Sequence, residues 1–177
     1  MRLARVVPLL ALLPAAALPA SAQQFIPQQA LIAMVEVHKA SILRYIDAAP
    51  DSMLGWRPVA GVRSFAEQIE HAAWADALIA HLAITGSMEV PSFGDKNVYL
   101  KDKAALKTYA TAAMDHTLEM LRAVPNEAML AEITMFGKKL PRYRGLMELL
   151  DHFPWTLGQV VPYLRMHGVQ PPTYTPF

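Results

Sequence analysis

Asp151-His152-Phe153-Pro154-Trp155-Thr156-Leu157-Gly158-Gln159-Val160-Val161-Pro162-Tyr163-Leu164-Arg165-Met166-His167-Gly168 is the stretch whose reading decides the fold. It reads as the end of a last helix that begins at Pro141, a good first-turn residue, and is closed by Gly168 ahead of Pro171-Pro172. Pro154 and Pro162 fall inside it. Each removes a backbone donor and crowds the carbonyl four residues earlier, so one kinked helix is expected. Its inward stripe carries His152, and the expected partner across the helix interface is His71.

Three earlier helices accompany it. Leu31, Met34, Val35, His38, Ile42, Tyr45 and Ile46 recur at three- and four-residue steps, which predicts a helix from Pro27 to about Ala48 with one buried stripe. Ser64-Phe65-Ala66-Glu67 matches a capping box and opens a second helix running to Thr85-Gly86. Asp102 is the expected N-cap of a third, extending to about Val124 before Pro125. The segments 49–63, with Pro50, Gly55, Pro58 and Gly61, and 87–101, with Pro91 and Gly94, read as loops. So does 126–140, although Glu132 to Phe136 also fits a short extended piece ending at Gly137 or a frayed helix. Four helices with no credible sheet predict an all-α four-helix bundle.

The chain has 177 residues, a hydrophobic fraction of 54% and no cysteine. That is enough for one domain, held together by core packing without disulfides. The start is different in character. Met1-Arg2-Leu3-Ala4-Arg5 is basic, Val6 to Pro19 is apolar, and Ala20-Ser21-Ala22 is a small-x-small cleavage site, so residues 1–22 read as a secretory signal peptide. The run is shorter than the ~20 residues that span a bilayer and is interrupted by Pro14 and Pro19. The expected mature domain is 23–177, periplasmic or secreted, with no membrane attachment. Losing Arg2 and Arg5 takes Lys+Arg from 16 to 14 against 15 Asp+Glu, and the formal charge from +1 to −1. No basic surface large enough to track a phosphate backbone remains, which argues against nucleic acid.

Taken together, Trp56-Arg57-Pro58, Gly61, Arg63-Ser64-Phe65, His71, His152, Gly158-Gln159, Tyr163-Leu164-Arg165, Gly168 and Pro171-Pro172 resemble the DinB-like superfamily of small four-helix proteins. The resemblance implies an up-down-down-up bundle and a divalent metal, zinc or nickel, held by one His on the second helix and two His one turn apart on the last. It also implies thiol-dependent transferases and isomerases among the relatives, and possible homodimers. By position, His71 matches the second-helix ligand and His152 the first of the last-helix pair. The second of that pair falls on Thr156, a departure from the pattern.

The departure is chemical. Two His at positions i and i+4 share a helix face and can hold one ion, whereas Thr supplies a neutral hydroxyl. Glu148, four residues before His152, is the preferred replacement ligand, because Glu67, four before His71, is claimed by the capping box. Two imidazoles and a carboxylate would leave an open coordination position, as catalytic sites require. His38 and His116 offer another route, since each predicted helix then contributes a His; the plainer reading makes them core residues bonded to carbonyls. His81 and His167 lie near helix ends and are expected in solvent. Trp74 and Trp155 are expected to line the inter-helix pocket. Two functions stay open: a metal-dependent hydrolase or transferase acting on a small molecule, or a non-catalytic binding protein that kept the bundle and lost the metal.

Overall fold

The computed structural model describes residues 26–174; the expected signal peptide, 1–22, lies outside the described residues. Helix α1 spans Gln28–Ala48, α2 Phe65–Thr85 and α4 Lys103–Ala123, with a single-turn α3 at Lys96–Tyr99 between the last two. The start of α2 is the expected capping box. Ser64 Oγ accepts from the Glu67 amide while Glu67 Oε2 accepts from the Ser64 amide, and Gly86 ends the helix in the left-handed region at φ 77°. Asp102 caps α4 through the Ala105 amide, as expected.

The directions of the helices follow from what bridges them. Glu36 pairs with Arg122, Lys39 with Asp115 and Asp47 with Lys107, so α1 and α4 are antiparallel. Glu70 meets Lys96 and Tyr99 while His81 meets His116, so α2 and α4 run in parallel. The last helical region returns against α2, with Arg142 bonded to the Ala83 carbonyl and Gln68 to that of Thr156. The result is the expected up-down-down-up bundle. Its core is filled by Leu31, Val35, Ile42 and Ile46 of α1, Ile69 and the alanines Ala72, Ala73 and Ala77 of α2, and Leu106, Ala113 and Leu121 of α4. Each fully buried Leu or Ile contributes about 1.5–3 kcal/mol.

Three expectations need correction. The segment 87–101, expected as a loop, holds the single turn of α3, capped by Asp95 through the Asn97 amide. The segment 126–140, expected as a loop, holds a 3₁₀ turn at Asn126–Leu130 and an antiparallel hairpin of β1, Glu132–Met135, and β2, Lys138–Pro141. Phe136 and Gly137 make its turn, both at positive φ, 49° and 76°. The hairpin leans on α5, Arg142–Leu146, where Gly145 is needed: a Cβ there would lie 2.8 Å from Met135 Sδ and 3.2 Å from Ile133 Cδ1.

The last helix is three segments rather than one kinked rod: α5, then α6, Glu148–Gly158, then α7, Val160–Met166. Pro162 denies the Gly158 carbonyl its usual partner, and α6 stops there; in α7 the same proline sits in the first turn, where its missing donor costs nothing. Pro154 is tolerated inside α6.

Candidate functional site

The cleft between α2 and α6 is where the bundle places the sequence-matched residues. His71 stands two turns into α2 and His152 near the start of α6, and their rings meet edge to face with centroids 5.3 Å apart and planes at 75°. Glu148, Asp151, Trp155, Thr156 and Gln159 complete an open cleft of about 710 Å³. Thr156, one turn after His152, is buried, and its Oγ1 lies 3.3 Å from His152 Nε2. Below it, buried Gln68 donates to the Thr156 carbonyl at 3.1 Å and to Gln159 Oε1 at 3.2 Å. Gln68 thereby fixes the α6–α7 break against α2.

Electrostatics leave the two imidazoles neutral at pH 7. Burial holds His71 below its ordinary value of 6.5, and the charges of Arg63 and His152 push the same way against Glu70. Burial also lowers His152, opposed by Glu148 and assisted by Arg63. Glu148 and Asp151, both exposed at the rim, face the cleft with negative charge. Trp155 is 76% exposed and lines it; Trp74 stands outside the lining, beside His71 with centroids 6.4 Å apart. Of the two tryptophans expected at the inter-helix pocket, the lining of this cleft includes Trp155 and not Trp74.

Two imidazoles and a neutral hydroxyl fall one ionisable donor short of the three protein ligands a catalytic zinc site uses. Among the described residues, no group of three or more His, Asp or Glu could hold a metal ion. In addition, His152 Nδ1 is buried with no hydrogen-bond partner in the protein, whereas the second nitrogen of a metal-ligating His is normally oriented by one. As placed, these residues do not fit a resident divalent ion. What they can do is accept and donate hydrogen bonds as neutral rings beside two carboxylates, an arrangement suited to a molecule bearing donors or positive charge.

The other histidines are drawn elsewhere, for reasons the sequence does not advertise. Neither His38 nor His116 lines this cleft. His38 Nδ1 faces Asp76 Oδ2, a carboxylate rather than the expected carbonyl, at 3.4 Å, and its ring stacks on Phe153. His116 Nε2 lies 3.2 Å from His81 Nδ1, so His81 is half-buried in a ring pair rather than in solvent. His167 is also drawn in, against Trp56 with centroids 4.5 Å apart, and its Nδ1 is buried. Sequence reasoning missed Asp76 and Gln68. The signal for Asp76 was its setting in Ala73-Trp74-Ala75-Asp76-Ala77-Leu78-Ile79, where every neighbour within three residues is apolar.

Comparison with known proteins agrees with this architecture. A crystal structure of a DinB-like protein from Bacillus cereus ATCC 10987 superposes with a TM-score of 0.67 at 20% identity, covering 86% of this chain and 100% of that one. That likeness is one of fold. No curated protein matches significantly. The family model of the DinB superfamily matches residues 34–158, from the first helix through the end of α6. The chain belongs to the DinB superfamily.

Proposed function

We propose that the α2–α6 cleft is the functional site of an exported DinB-superfamily protein, and that it binds a small molecule through neutral His71 and His152 without a resident metal. The observation that carries this reading is the facing of the two rings, 5.3 Å apart, across a cleft whose third inward position is the hydroxyl of Thr156. Glu148 and Asp151 at the rim favour a ligand with a protonated amine or several donors, and the exposed face of Trp155 favours an apolar or aromatic body. Export rests on the basic, apolar and small-residue pattern of residues 1–22. Among the described residues no helix is long and apolar enough to cross a membrane.

One observation favours a second reading. Glu148 lines the same cleft, and its charge acts on His152. Moved inward, it would complete a set of two histidines and a carboxylate for zinc or nickel, the donor set of a metal-dependent hydrolase or transferase.

One preparation separates the two. The protein, purified without chelator or affinity nickel, is assayed for bound metals by mass spectrometry beside the His71→Ala, His152→Ala double variant, and both are titrated with aromatic amines and aromatic carboxylates. The first reading expects a metal-free chain that binds amines in preference to carboxylates and loses them in the double variant. Near-stoichiometric metal that disappears in the double variant would overturn it in favour of the second.

A further inference from the structure

On the opposite side of α6 from the cleft lies a second pocket, between α1 and α6, of about 130 Å³. Met34, Val37, Phe153, Pro154 and Leu157 make its apolar wall, Ser41, Arg44, Tyr45, Thr173 and Tyr174 add polar groups, and the His38 ring stands between them. His38 is only 4% exposed, and it lies flat on Phe153 with centroids 4.2 Å apart and planes 7° from parallel. Behind it is Asp76, 0% exposed, with Oδ2 turned to His38 Nδ1 and Oδ1 without a hydrogen-bond partner in the protein.

A fully buried carboxylate with one satisfied oxygen is a poor stabiliser, since burial costs more than a single bond at 3.4 Å returns. What such a couple does well is to fix a tautomer. An ionised carboxylate accepts only, so Nδ1 must carry the ring's hydrogen and donate it, which leaves Nε2, on the far side of the ring, with a bare lone pair. Nε2 is not among the buried polar atoms left without a partner, so it reaches the little exposed surface His38 retains, and the ring borders the pocket. The buried wall of the site, His38 with Phe153 and Leu157, is therefore apolar with one oriented acceptor, and the polar Arg44 and Tyr174 stand on its exposed side.

We propose that this pocket is a second binding site, in which His38, held by Asp76, accepts a hydrogen bond from the hydroxyl of a single-ring phenol-class ligand. Size supports the class: apolar cavities of about 150 Å³ hold benzene. The polarity is equally selective. A ligand offering only acceptors would meet a lone pair. The site shares no lining residue with the His71–His152 cleft, so the two readings stand or fall separately.

The test uses the full-length protein with phenol and benzene as probes, read by calorimetry and by the ¹⁵N signals of the histidine rings. Phenol should bind about tenfold more tightly than benzene, the worth of one net hydrogen bond. The ¹⁵N change should fall on His38 Nε2 and leave His71 and His152 unmoved. In the His38→Phe, Asp76→Leu variant, which keeps the stack on Phe153 and removes both polar groups, the preference for phenol over benzene should vanish. Equal binding of phenol and benzene by the native protein would overturn the proposal. So would a phenol-induced shift at His71 or His152 in place of His38. The native-protein spectra decide the matter even if the variant does not fold.

Discussion

Thr156 Oγ1 lies 3.3 Å from His152 Nε2, so the residue at the position where the resemblance implies a third histidine is already in contact with His152. A His placed there would share a helix face with His152 and point at the same space as His71. Thr156→His is expected to bind about one zinc or nickel ion per chain and to melt at a higher temperature when that metal is added, because binding to the folded state alone stabilises it. Thr156→Val should bind none. Metal mass spectrometry and thermal melts check this, and a metal-free Thr156→His protein that still folds would show that the bundle no longer holds the three positions in ligand geometry.

Acid should act on this site and on Asp76 in opposite senses. His71 and His152 are held below the ordinary 6.5 by burial, so around that pH the unfolded chain binds more protons than the folded one. Their contribution to stability is therefore lost as pH falls from 6.5 through their folded values. Asp76 is raised by burial from 3.8 to about 6, so the folded chain keeps its proton longer, and stability is lost as pH rises across that window. Urea midpoints from about pH 4 to about pH 7.5 should separate the two effects. Relative to the native chain, His71→Gln, His152→Gln gains stability as the medium is acidified below 6.5, and Asp76→Asn gains as it is raised above 4. Parallel curves for all three proteins would refute both assignments.

What the sequence makes legible is whatever is local. The capping box at Ser64, the Asp102 cap and the Gly86 stop each act within one helical turn, so residue type alone places them. The hairpin was harder because four-residue strands give too little alternation to count, and its turn begins with Phe136, where Asn or Gly would have signalled positive φ. His71 and His152 were legible as partners because a family pattern links them. The partners of His38 and His81 were not, because contacts between α1 and α2, or α2 and α4, depend on helix rotation that spacing does not give. That Pro162 breaks the helix where a kink is expected has a related reason. The clash follows from the sequence, but whether a helix bends or restarts depends on what anchors the break, here Gln68 against Thr156 and Gln159.

The capping box also sets the height at which α2 presents His71. Ser64→Ala leaves the Glu67 amide without its acceptor and should cost about 1 kcal/mol in urea unfolding. Glu67→Gln keeps a side-chain acceptor for the Ser64 amide but loses the charge that pairs with Arg57, so its cost should be smaller. The Glu67 carboxyl is held below its ordinary 4.5, chiefly by the bond from the Ser64 amide, so its contribution fades as pH falls through that range. A Glu67→Gln protein as acid-sensitive as the native chain below pH 4.5 would show that the box draws nothing from the charge.

The His38–Asp76 couple separates stability from use most sharply. Asp76→Ala removes one partner, opens a cavity and leaves His38 facing apolar walls, and is expected to cost about 3–5 kcal/mol. Replacing both with apolar side chains removes the desolvation cost together with the bond, so His38→Phe, Asp76→Leu should lie within about 1–2 kcal/mol of the native protein or above it. Leu is larger than Asp, so part of any loss will come from crowding against the alanines of α2, and Asp76→Val in the same double variant measures that part. A double variant as stable as the native chain means the pair is retained for something other than holding α1 against α2, as an oriented acceptor facing the pocket requires. A loss as large as that of Asp76→Ala, persisting with Val, would make the couple a structural clamp and remove the energetic reason for expecting a ligand at His38.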